Sequence, residues 1–441
     1  MDNLYSVLTD INLVILTVFG VVFGLQFVYM FLFFLPAKKY PVSQEKKRFG
    51  IIIPARNEEK IIANVIRTLK MQNYPEENFD IFVVADNCTD NTAEAAKALG
   101  AIVFERFDAN KKHHRVGYAL QFAFNEILKD YDNYDAFIRF DADSIVHPDY
   151  ISKMNDAFCS GAELARGCNN TSNFERGIVP AISGLWYLRD ARFNCTPKSA
   201  LGISQILLGP GMMFSADIIR RDKGWKELGI SEDIDFAIEQ LLKAKKTYFV
   251  SKAIVYDEQP ANLKDVFKRN MRMGRGLFIT FWTKATRSLL KFFTTFRFSY
   301  LDMFLTQAFI PVDFVACLWF PFYYVFAVVY NINTEDFAAL KLIGSTVGLA
   351  LGGFFIVPFI IQALLTVILE RKNIRAKKRK LVLPILLFPM FMIFYALGIF
   401  LGILFKPKWK SIARNDSDNY IDFIQGLKSD LPDKEPETNS V

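Results

Sequence analysis

The sequence predicts an α/β protein with a mostly parallel, doubly wound sheet, joined to long apolar helices on both sides. Short β-rich runs alternate with helical patterns from residue 49 to residue 141, and this order is typical of such a sheet. Apolar residues form 52% of the 441 residues and are concentrated near both ends. We therefore expect a transmembrane anchor, a soluble domain, amphipathic interfacial helices, a transmembrane region and a polar tail at residues 1–36, 37–262, 263–300, 301–412 and 413–441.

The N-terminal apolar block predicts an uncleaved membrane anchor. The run Leu13–Leu35 is long enough to cross a bilayer. The residues before it include Asp2 and Asp10 but no Lys or Arg, whereas a cleaved signal peptide begins with basic residues. Basic residues after the run place the soluble domain in the cytoplasm by the positive-inside rule; they are Lys38, Lys39, Lys46, Lys47 and Arg48.

The soluble domain divides into alternating strand and helix signals. The predicted strands are the β-rich runs Phe49–Pro54, Phe79–Ala85, Ala101–Arg106 and Ala136–Asp141. The predicted helices between them are Glu58–Met71, Thr92–Leu99 and Gly117–Leu128. In sheets of this kind ligands bind at the carboxyl ends of the strands, so residues that follow each strand are the first candidates for a site.

Two carboxylates mark the end of the fourth predicted strand. Asp141 and Asp143 project from the same side because strand side chains alternate, and the small Ala142 lies between them. Carboxylates this close favour a bound cation, and Mg²⁺ commonly takes one or two carboxylates plus substrate phosphates. A chain of this length holds about one Asp-x-Asp pattern by chance. The prediction of a cation site therefore depends on the position of the pair directly after a buried strand. His147 is a weaker candidate ligand, because a loop histidine without a role is more common.

Polar residues also follow the first two strands. The first strand runs into the loop Pro54–Glu58, and the second ends at Asp86. Thr89 and Asp90 could simply cap the next helix, but Asp86 precedes the cap position and is more consistent with a functional role.

Two further motifs lie later in the chain. Glu232 and Asp233 follow Ser231 at the start of a helical run. Ser231 could simply be an N-cap followed by favourable acidic charge in the first turn, or a carboxylate could act as a general base on an attacking hydroxyl. Arg272 could neutralise a departing diphosphate through a bidentate contact. For the neighbouring Arg269 and Arg275, contact with lipid headgroups is the favoured alternative.

The C-terminal part predicts an interfacial helix and three more spans. Leu263–Trp282 mixes basic and apolar residues in the manner of an amphipathic surface helix. The spans are expected at Leu305–Tyr330, Leu340–Leu369 and Leu381–Phe405. The basic loop Arg371–Lys380 fits the cytoplasmic side, but the basic residues after the last span do not, so a re-entrant hairpin is an alternative there. We expect a multi-pass protein of the cell membrane. The net charge of +7 is concentrated beside the spans, and no nucleic-acid-binding module is recognisable.

Taken together, these residues resemble glycosyltransferase family 2, in the membrane-embedded branch that includes cellulose, chitin and hyaluronan synthases. The resemblance runs from the first span to the last and implies a GT-A fold that transfers a hexose from a UDP-sugar, with inversion, to a polysaccharide or glycan acceptor. It implies Asp233, beside Glu232, as general base, and Asp143 as the ligand of Mg²⁺ or Mn²⁺. The residues implied to bind the nucleotide-sugar are Pro54, Ala55, Glu58, Asp86, Asp141 and Arg272, and those implied near the acceptor are Gly209, Gly211 and Met273.

The chain departs from the family pattern in the last motif. Processive members read Gln-x-x-Arg-Trp, whereas here Arg269 and Met273 stand at the Gln and Trp positions. Methionine lacks the flat face on which a terminal sugar stacks. Polymer synthesis, non-processive glycolipid synthesis and a non-catalytic membrane subunit that binds nucleotide or polysaccharide therefore stay open. The expected partners are a UDP-sugar donor, a glycan or lipid-linked acceptor and the lipid bilayer, with an accessory subunit left open and no nucleic acid.

Overall fold

The structure is a computed structural model, and it describes residues 2–131, 133–405, 423, 426 and 427. The described residues form one eight-stranded sheet in the order β3-β2-β1-β4-β7-β6-β8-β5. The strands are β1 Phe49–Ala55, β2 Phe79–Asp86, β3 Ile102–Arg106, β4 Ala136–Arg139, β5 Ile145–Val146, β6 Leu164–Thr171, β7 Met212–Ser215 and β8 Thr247–Asp257. Apart from residues 423, 426 and 427, the predicted tail 413–441 lies outside the described residues, as do the basic residues after the last span.

The sheet is mixed but mostly parallel. Strands β3, β2, β1 and β4 pair in parallel, β6 pairs in parallel with β8, and β7 and β5 run antiparallel to their neighbours. Six of the eight described strands therefore run in one direction, and their carboxyl ends share one edge. The predicted α/β class with a parallel-rich sheet is confirmed.

Helices cover both faces of the sheet, which explains why its central strand is a continuous apolar run. In β1, Ile51 and Ile53 pack into one hydrophobic core, while Ile52 packs into the other with Phe82 and Phe124. The helices of the soluble part are α2 Ile62–Lys70, α3 Thr92–Lys97, α4 Val116–Asp130, α5 Tyr150–Cys159, α6 Ile178–Asp190, α7 Thr196–Ala200, α8 Ala216–Asp222 and α9 Glu232–Leu242, and α1 Asp2–Phe31 precedes them.

The remaining helices follow the soluble part. They are α10 Leu263–Thr280, α11 Thr286–Thr295, α12 Phe298–Asn333, α13 Phe337–Leu349, α14 Val357–Leu369 and α15 Val382–Leu404. Four helical stretches among the described residues are long and apolar enough to cross a membrane, namely Asp2–Phe31, Phe298–Asn333, Phe337–Leu369 and Lys378–Leu404. These correspond to the four predicted spans.

The first span begins earlier than its apolar run. The polar N-terminal turns of α1 pair with the far end of α12: Tyr330 donates to Asp2 Oδ1 at 2.8 Å, and Trp319 Nε1 donates to Asn12 Oδ1 at 3.2 Å. These contacts stabilise helix where hydropathy alone indicates none. At the other end, α1 ends at Phe31 and a turn follows before Pro36.

Helix α10 connects the soluble sheet to the last apolar helix. The backbones of α10 and α15 lie so close that Cβ atoms added at Gly274 or Gly402 would meet backbone of the opposite helix. On its other side, Gly276 lies against Ser231, which precedes α9, and Thr280 Oγ1 donates to Asp235 Oδ1 at 2.7 Å. A π-helical turn, Phe281–Ala285, separates α10 from α11, so α10 ends two residues before the end predicted for the amphipathic helix Leu263–Trp282.

Candidate active site

The strand ends that carry polar residues meet at the point where the strand order reverses. The chain passes from β1 to β2 and β3 on one side, and then to β4 on the other side of β1. A reversal of this kind opens a crevice outside the carboxyl ends of the flanking strands. The loop after β1, the end of β2 and the residues after β4 therefore face one crevice.

Hydrogen bonds join the loop after β1 to the loop after β2. Asn57 and Asn87 adopt left-handed backbone conformations, which asparagine tolerates better than most residues. Asn57 Oδ1 accepts a hydrogen bond from the Thr89 backbone at 2.8 Å, and the Glu58 backbone donates to Thr92 Oγ1 at 2.8 Å. Thr92 starts α3, so these contacts fix the loop Pro54–Glu58 against that helix.

Asp86 is buried and held by neighbours. Its Oδ1 accepts hydrogen bonds from Arg106 Nη1 at 2.5 Å and from Asn87 Nδ2 at 2.7 Å. Arg106 also contacts Asp108 at 2.8 Å. Sequence reasoning named Asp86 but not Arg106, which comes from the end of β3, the strand that pairs with β2.

Arg139, the last residue of β4, is the principal site residue that sequence reasoning missed. Its Nη2 contacts Asp141 Oδ1 at 2.6 Å, and its Nη1 lies 3.4 Å from Glu232 Oε1. The side chain is only 4% exposed. A cation in an otherwise apolar strand, directly before the Asp pair, was the signal that could have found it.

The Gly209–Gly211 segment shapes the space around Arg139. A Cβ atom at Gly209 would collide with the Arg139 guanidinium, so glycine is required for the arginine to lie there. The Gly211 backbone donates to the carbonyl of Arg139 at 2.7 Å, and Gly211 has φ +77°, which favours glycine. This segment leads into β7 beside β4.

Glu232 and Asp233 begin α9 and face Arg139. Among the described residues, Ser231 forms no side-chain cap on this helix, so the simple N-cap alternative is not what the structure shows. Asp233 Oδ1 accepts the Ile234 backbone N–H at 2.8 Å, and the Gly209 backbone also donates to the Asp233 carboxylate. Glu232 is buried, whereas Asp233 is partly exposed.

Burial makes both carboxyls unusually basic. It raises the pKa of Glu232 to about 7; Arg139 opposes this shift and Asp233 adds to it. Burial likewise raises the pKa of Asp233, again against the charge of Arg139. A carboxylate with a raised pKa accepts a proton more readily near neutral pH.

The Asp pair has a further acidic neighbour, Asp257, at the end of β8. Ser144 Oγ donates to Asp257 Oδ1 at 3.0 Å. Burial raises the pKa of Asp257, and the charges of Asp143 and Asp141 raise it further, so the three carboxyls share one environment. Sequence reasoning gave Asp257 no role, because its proximity depends on the pairing of β8 beside β6.

The crevice carries carboxylates that could hold a divalent cation. Asp141 and Asp143 offer hard oxygen donors, which suit Mg²⁺ or Mn²⁺. The carboxylates that act on the buried Arg139 outnumber it. Among residues 2–131 and 133–405, no three His, Cys, Asp or Glu side chains are placed to hold a metal ion by themselves. His147 Nδ1 instead accepts a hydrogen bond from the Asp149 backbone at 3.2 Å.

Helix α10 brings basic residues to the opposite wall. Desolvation lowers the pKa of Arg272, whereas the nearby Glu232 raises it, and its side chain keeps access to solvent. Arg269 Nη1 donates to Gln259 Oε1 at 2.7 Å, so it fastens α10 to the loop after β8, although sequence reasoning favoured a lipid contact. Met273 is half-buried next to Arg272.

A comparison with protein families agrees with this geometry. Residues 47–276, just over half of the chain, match the model described as glycosyltransferase like family 2. The chain belongs to this family. The matched range contains every site residue predicted from the sequence, from Pro54 to Met273.

The chain is also similar to curated proteins that are named as glycosyltransferases or glycolipid synthases. The chain is 23% identical over 250 residues to "Probable glycosyltransferase YdaM" of Bacillus subtilis (strain 168), covering 53% of this chain and 56% of that protein. It is 27% identical over 197 residues to a beta-monoglucosyldiacylglycerol synthase of Nostoc sp., covering 42% of this chain and 39% of that protein. The chain therefore spans about half the length of these relatives: 56% of the first and 39% of the second.

A solved structure shows the same fold. The mannosyltransferase PcManGT from Pyrobaculum calidifontis, in complex with GDP-Man and Mn²⁺, superposes with a TM-score of 0.55 at 12% identity. The match covers 89% of this chain and 99% of that chain. The predicted GT-A fold is therefore confirmed.

Proposed function

We propose that this protein is a membrane-embedded, inverting glycosyltransferase that moves a hexose from a UDP-sugar to a glycan or lipid acceptor. One observation carries the proposal: Arg139 joins Asp141, a donor-side carboxylate, to the pair Glu232 and Asp233 across a single crevice. This contact supports a site in which donor-binding groups and a basic carboxylate would act on one substrate.

The donor would lie along the carboxyl edge of β2, β1 and β4. The loop Pro54–Glu58, including Ala55, and Asp86 would hold the nucleoside, and Asp141 would contact the nucleotide. Asp143 would bind Mg²⁺ or Mn²⁺, which supplies positive charge to the diphosphate when bound. The GDP-Man and Mn²⁺ of the mannosyltransferase with the same fold support a nucleoside-diphosphate sugar and a divalent cation, and UDP is our choice of nucleotide.

Asp233 would be the general base. It is the more exposed member of the acidic pair, so it can contact the acceptor, and its raised pKa suits proton removal from a hydroxyl. The hydroxyl oxygen attacks the anomeric carbon as Asp233 takes its proton, and the bond from that carbon to the diphosphate oxygen breaks. A single displacement of this kind inverts the anomeric centre. Glu232, buried against Arg139, would position the base.

Arg272 would stabilise the leaving diphosphate. A guanidinium can contact two phosphate oxygens at once, and negative charge develops there as the bond breaks. The charges of Glu232 and Asp141 act on Arg272, which supports its placement at the reacting end of the donor.

The acceptor would enter beside Gly209, Gly211 and Met273. Because Met273 offers no aromatic face for a growing chain, we favour a lipid or lipid-linked acceptor over a polysaccharide. The beta-monoglucosyldiacylglycerol synthases among the relatives support this choice. Polymer synthesis is the second candidate, favoured by the several apolar helices after the soluble part.

The four apolar helices would cross the cell membrane, with the catalytic part on the cytoplasmic side. The soluble sheet adjoins the end of α1 and the start of α12, where Tyr29 donates to Asp302 at 2.6 Å. The basic residues after α1 and the basic loop 371–380 fit the cytoplasmic side.

The test is nucleotide release by the purified full-length protein with a panel of UDP-sugars, GDP-mannose and a lipid extract as acceptor. We expect one donor to turn over with Mn²⁺ or Mg²⁺ and not with EDTA, and the product to run as a glycolipid. A polymeric product would support the second candidate. Donor binding without turnover under every condition would support the non-catalytic alternative and contradict the proposal.

A further inference from the structure

A second cavity lies where the soluble part meets the start of α12, away from the crevice. It has a volume of about 560 Å³. Lys246, Arg297 and Ser299 contribute polar groups to its wall, and Leu201, Leu241 and Phe298 contribute apolar ones. The site residues described above do not line it.

Positive charge is concentrated at this cavity. Lys38 Nζ lies 4.9 Å and Lys246 Nζ 5.1 Å from the centre of the Tyr248 ring. Burial lowers the pKa of Lys246, and the charge of Lys38 lowers it further. Within the described ranges, Lys38, Lys246 and Arg297 form no ion pair with a carboxylate, so an anion here would meet uncompensated cations.

The start of α12 adds further positive charge at the cavity. Arg297 is the N-cap residue of that 36-residue helix, and Ser299 and Tyr300 in its first turn line the cavity. The free backbone N–H groups and the dipole of a helix N-terminus favour phosphate. The helix end supplements the lysine and arginine side chains.

The rim of the cavity is apolar and faces outward. Leu201 is 51% exposed and Phe298 is 43% exposed. One turn further along α12, Asp302 accepts from Tyr29 of α1 and contacts Lys198 Nζ at 3.0 Å, so the cavity lies at the level where both apolar helices leave the soluble part. A soluble anion gains nothing from such a rim, whereas acyl chains do.

We propose that this cavity binds the phosphate of an anionic phospholipid headgroup, held by Lys246 and Arg297 with Lys38 nearby, while the acyl chains lie against Leu201 and Phe298. The proposal depends on the membrane embedding proposed above. The lipid is not the reacting acceptor, because Glu232 and Leu241 occupy opposite ends of α9, about 14 Å apart at the usual helical rise.

The experiment measures lipid retention rather than turnover, so it can fail without any failure of the proposed enzyme. Full-length protein in a neutral detergent is titrated with phosphatidylglycerol or with phosphatidylcholine, and bound lipid is counted by native mass spectrometry. We expect one tightly held phosphatidylglycerol and no equivalent phosphatidylcholine. Lys246→Gln with Arg297→Gln should weaken this binding by about tenfold or more.

Matched variants separate the site from general surface charge. Lys264→Gln with Lys291→Gln removes two exposed cations from α10 and α11 and should leave retention unchanged. Lys246→Arg with Arg297→Lys preserves both charges and should retain the lipid, even if the glutamine pair folds poorly. Equal lipid retention by the glutamine pair would overturn the proposal. So would displacement of the lipid by millimolar glycerol phosphate, because that result would identify a site for soluble anions.

Discussion

The two halves of the crevice balance their charges in different ways. On the donor half, buried Asp86 pairs with buried Arg106 at 2.5 Å, and Arg106 also contacts the more exposed Asp108. On the transfer half, the single buried cation Arg139 is shared between Asp141 and Glu232, with Asp233 also within its influence. The donor-half arginine thus faces one buried carboxylate, whereas on the transfer half Arg139 faces several, and a bound metal ion would offset the remaining negative charge.

The largest difference should follow from removing the metal ligand on the transfer half. We expect Asp143→Asn to lower turnover by about a thousandfold, because the metal stabilises the leaving diphosphate by several kcal/mol. Nucleotide release at saturating Mn²⁺ measures this, with the exposed Asp217→Asn of α8 as the control. Turnover within a factor of two of wild type would show that the Asp pair holds no catalytic cation.

Loss of the shared cation should change the pH dependence. Arg139 lowers the pKa values of Glu232 and Asp233, so Arg139→Gln should raise both. Wild-type turnover should fall at acid pH as Asp233 is protonated, and in the variant this acid limb should move to higher pH. At pH 7 we expect turnover to fall by about ten- to a hundredfold.

Arg139→Lys is the control for this pH profile. It keeps the charge and should leave the acid limb near its wild-type position, with thermal melting showing whether either variant is folded. An unshifted limb in folded Arg139→Gln would contradict the shared-cation account.

A smaller effect is expected on the donor half. Arg106→Gln removes the partner of Asp86, and we expect the KM for the donor to rise by about tenfold while kcat changes little. Steady-state kinetics with varied donor measures the two constants separately. A fall in kcat at unchanged KM would show that Arg106 serves the transfer step instead.

The smallest effect concerns a well-matched carboxylate outside the crevice. Burial opposes ionisation of Asp222 on α8, but hydrogen bonds from Arg221, Lys243 and Gln240 outweigh it and lower its pKa to about 2. Its contribution to stability, about 1 kcal/mol after allowance for solvent screening, is present above pH 4 and is lost as the pH falls towards 2.

Asp222→Asn should therefore lower the melting temperature at pH 7 and make no difference near pH 2. Melting curves of the two proteins at both pH values measure this. An equal loss at both pH values would mean that the contribution is not ionic.

The sequence predicted what is encoded locally and missed what depends on pairing between distant segments. Asp86, Asp141 and Asp143 could be named because each follows a recognisable apolar strand, and the four spans because each is a long apolar run. Asp257 could not, because its place beside the Asp pair depends on β8 joining β6 across the sheet. The antiparallel strands β5 and β7 are two and four residues long, too short to leave a periodic pattern.

Partners of the site residues follow the same rule. Arg106 and Arg139 each lie at a strand end and contact a carboxylate two residues later, Asp108 or Asp141. Their other partners, Asp86 and Glu232, are distant in the sequence and could not be inferred from it. The contact between Arg139 and Glu232 joins residues 93 positions apart and requires glycine at position 209. Such contacts follow from the packing of β4, β7 and α9 rather than from any one segment.

The central claim is that Asp233 removes the acceptor proton in a crevice that binds the donor independently. The most direct measurement pairs donor binding by calorimetry with product formation, on the same preparations of wild-type protein and Asp233→Asn in the presence of Mn²⁺. We predict unchanged donor affinity and a fall in product formation of about a thousandfold. Product formation at the wild-type rate in Asp233→Asn would contradict the claim.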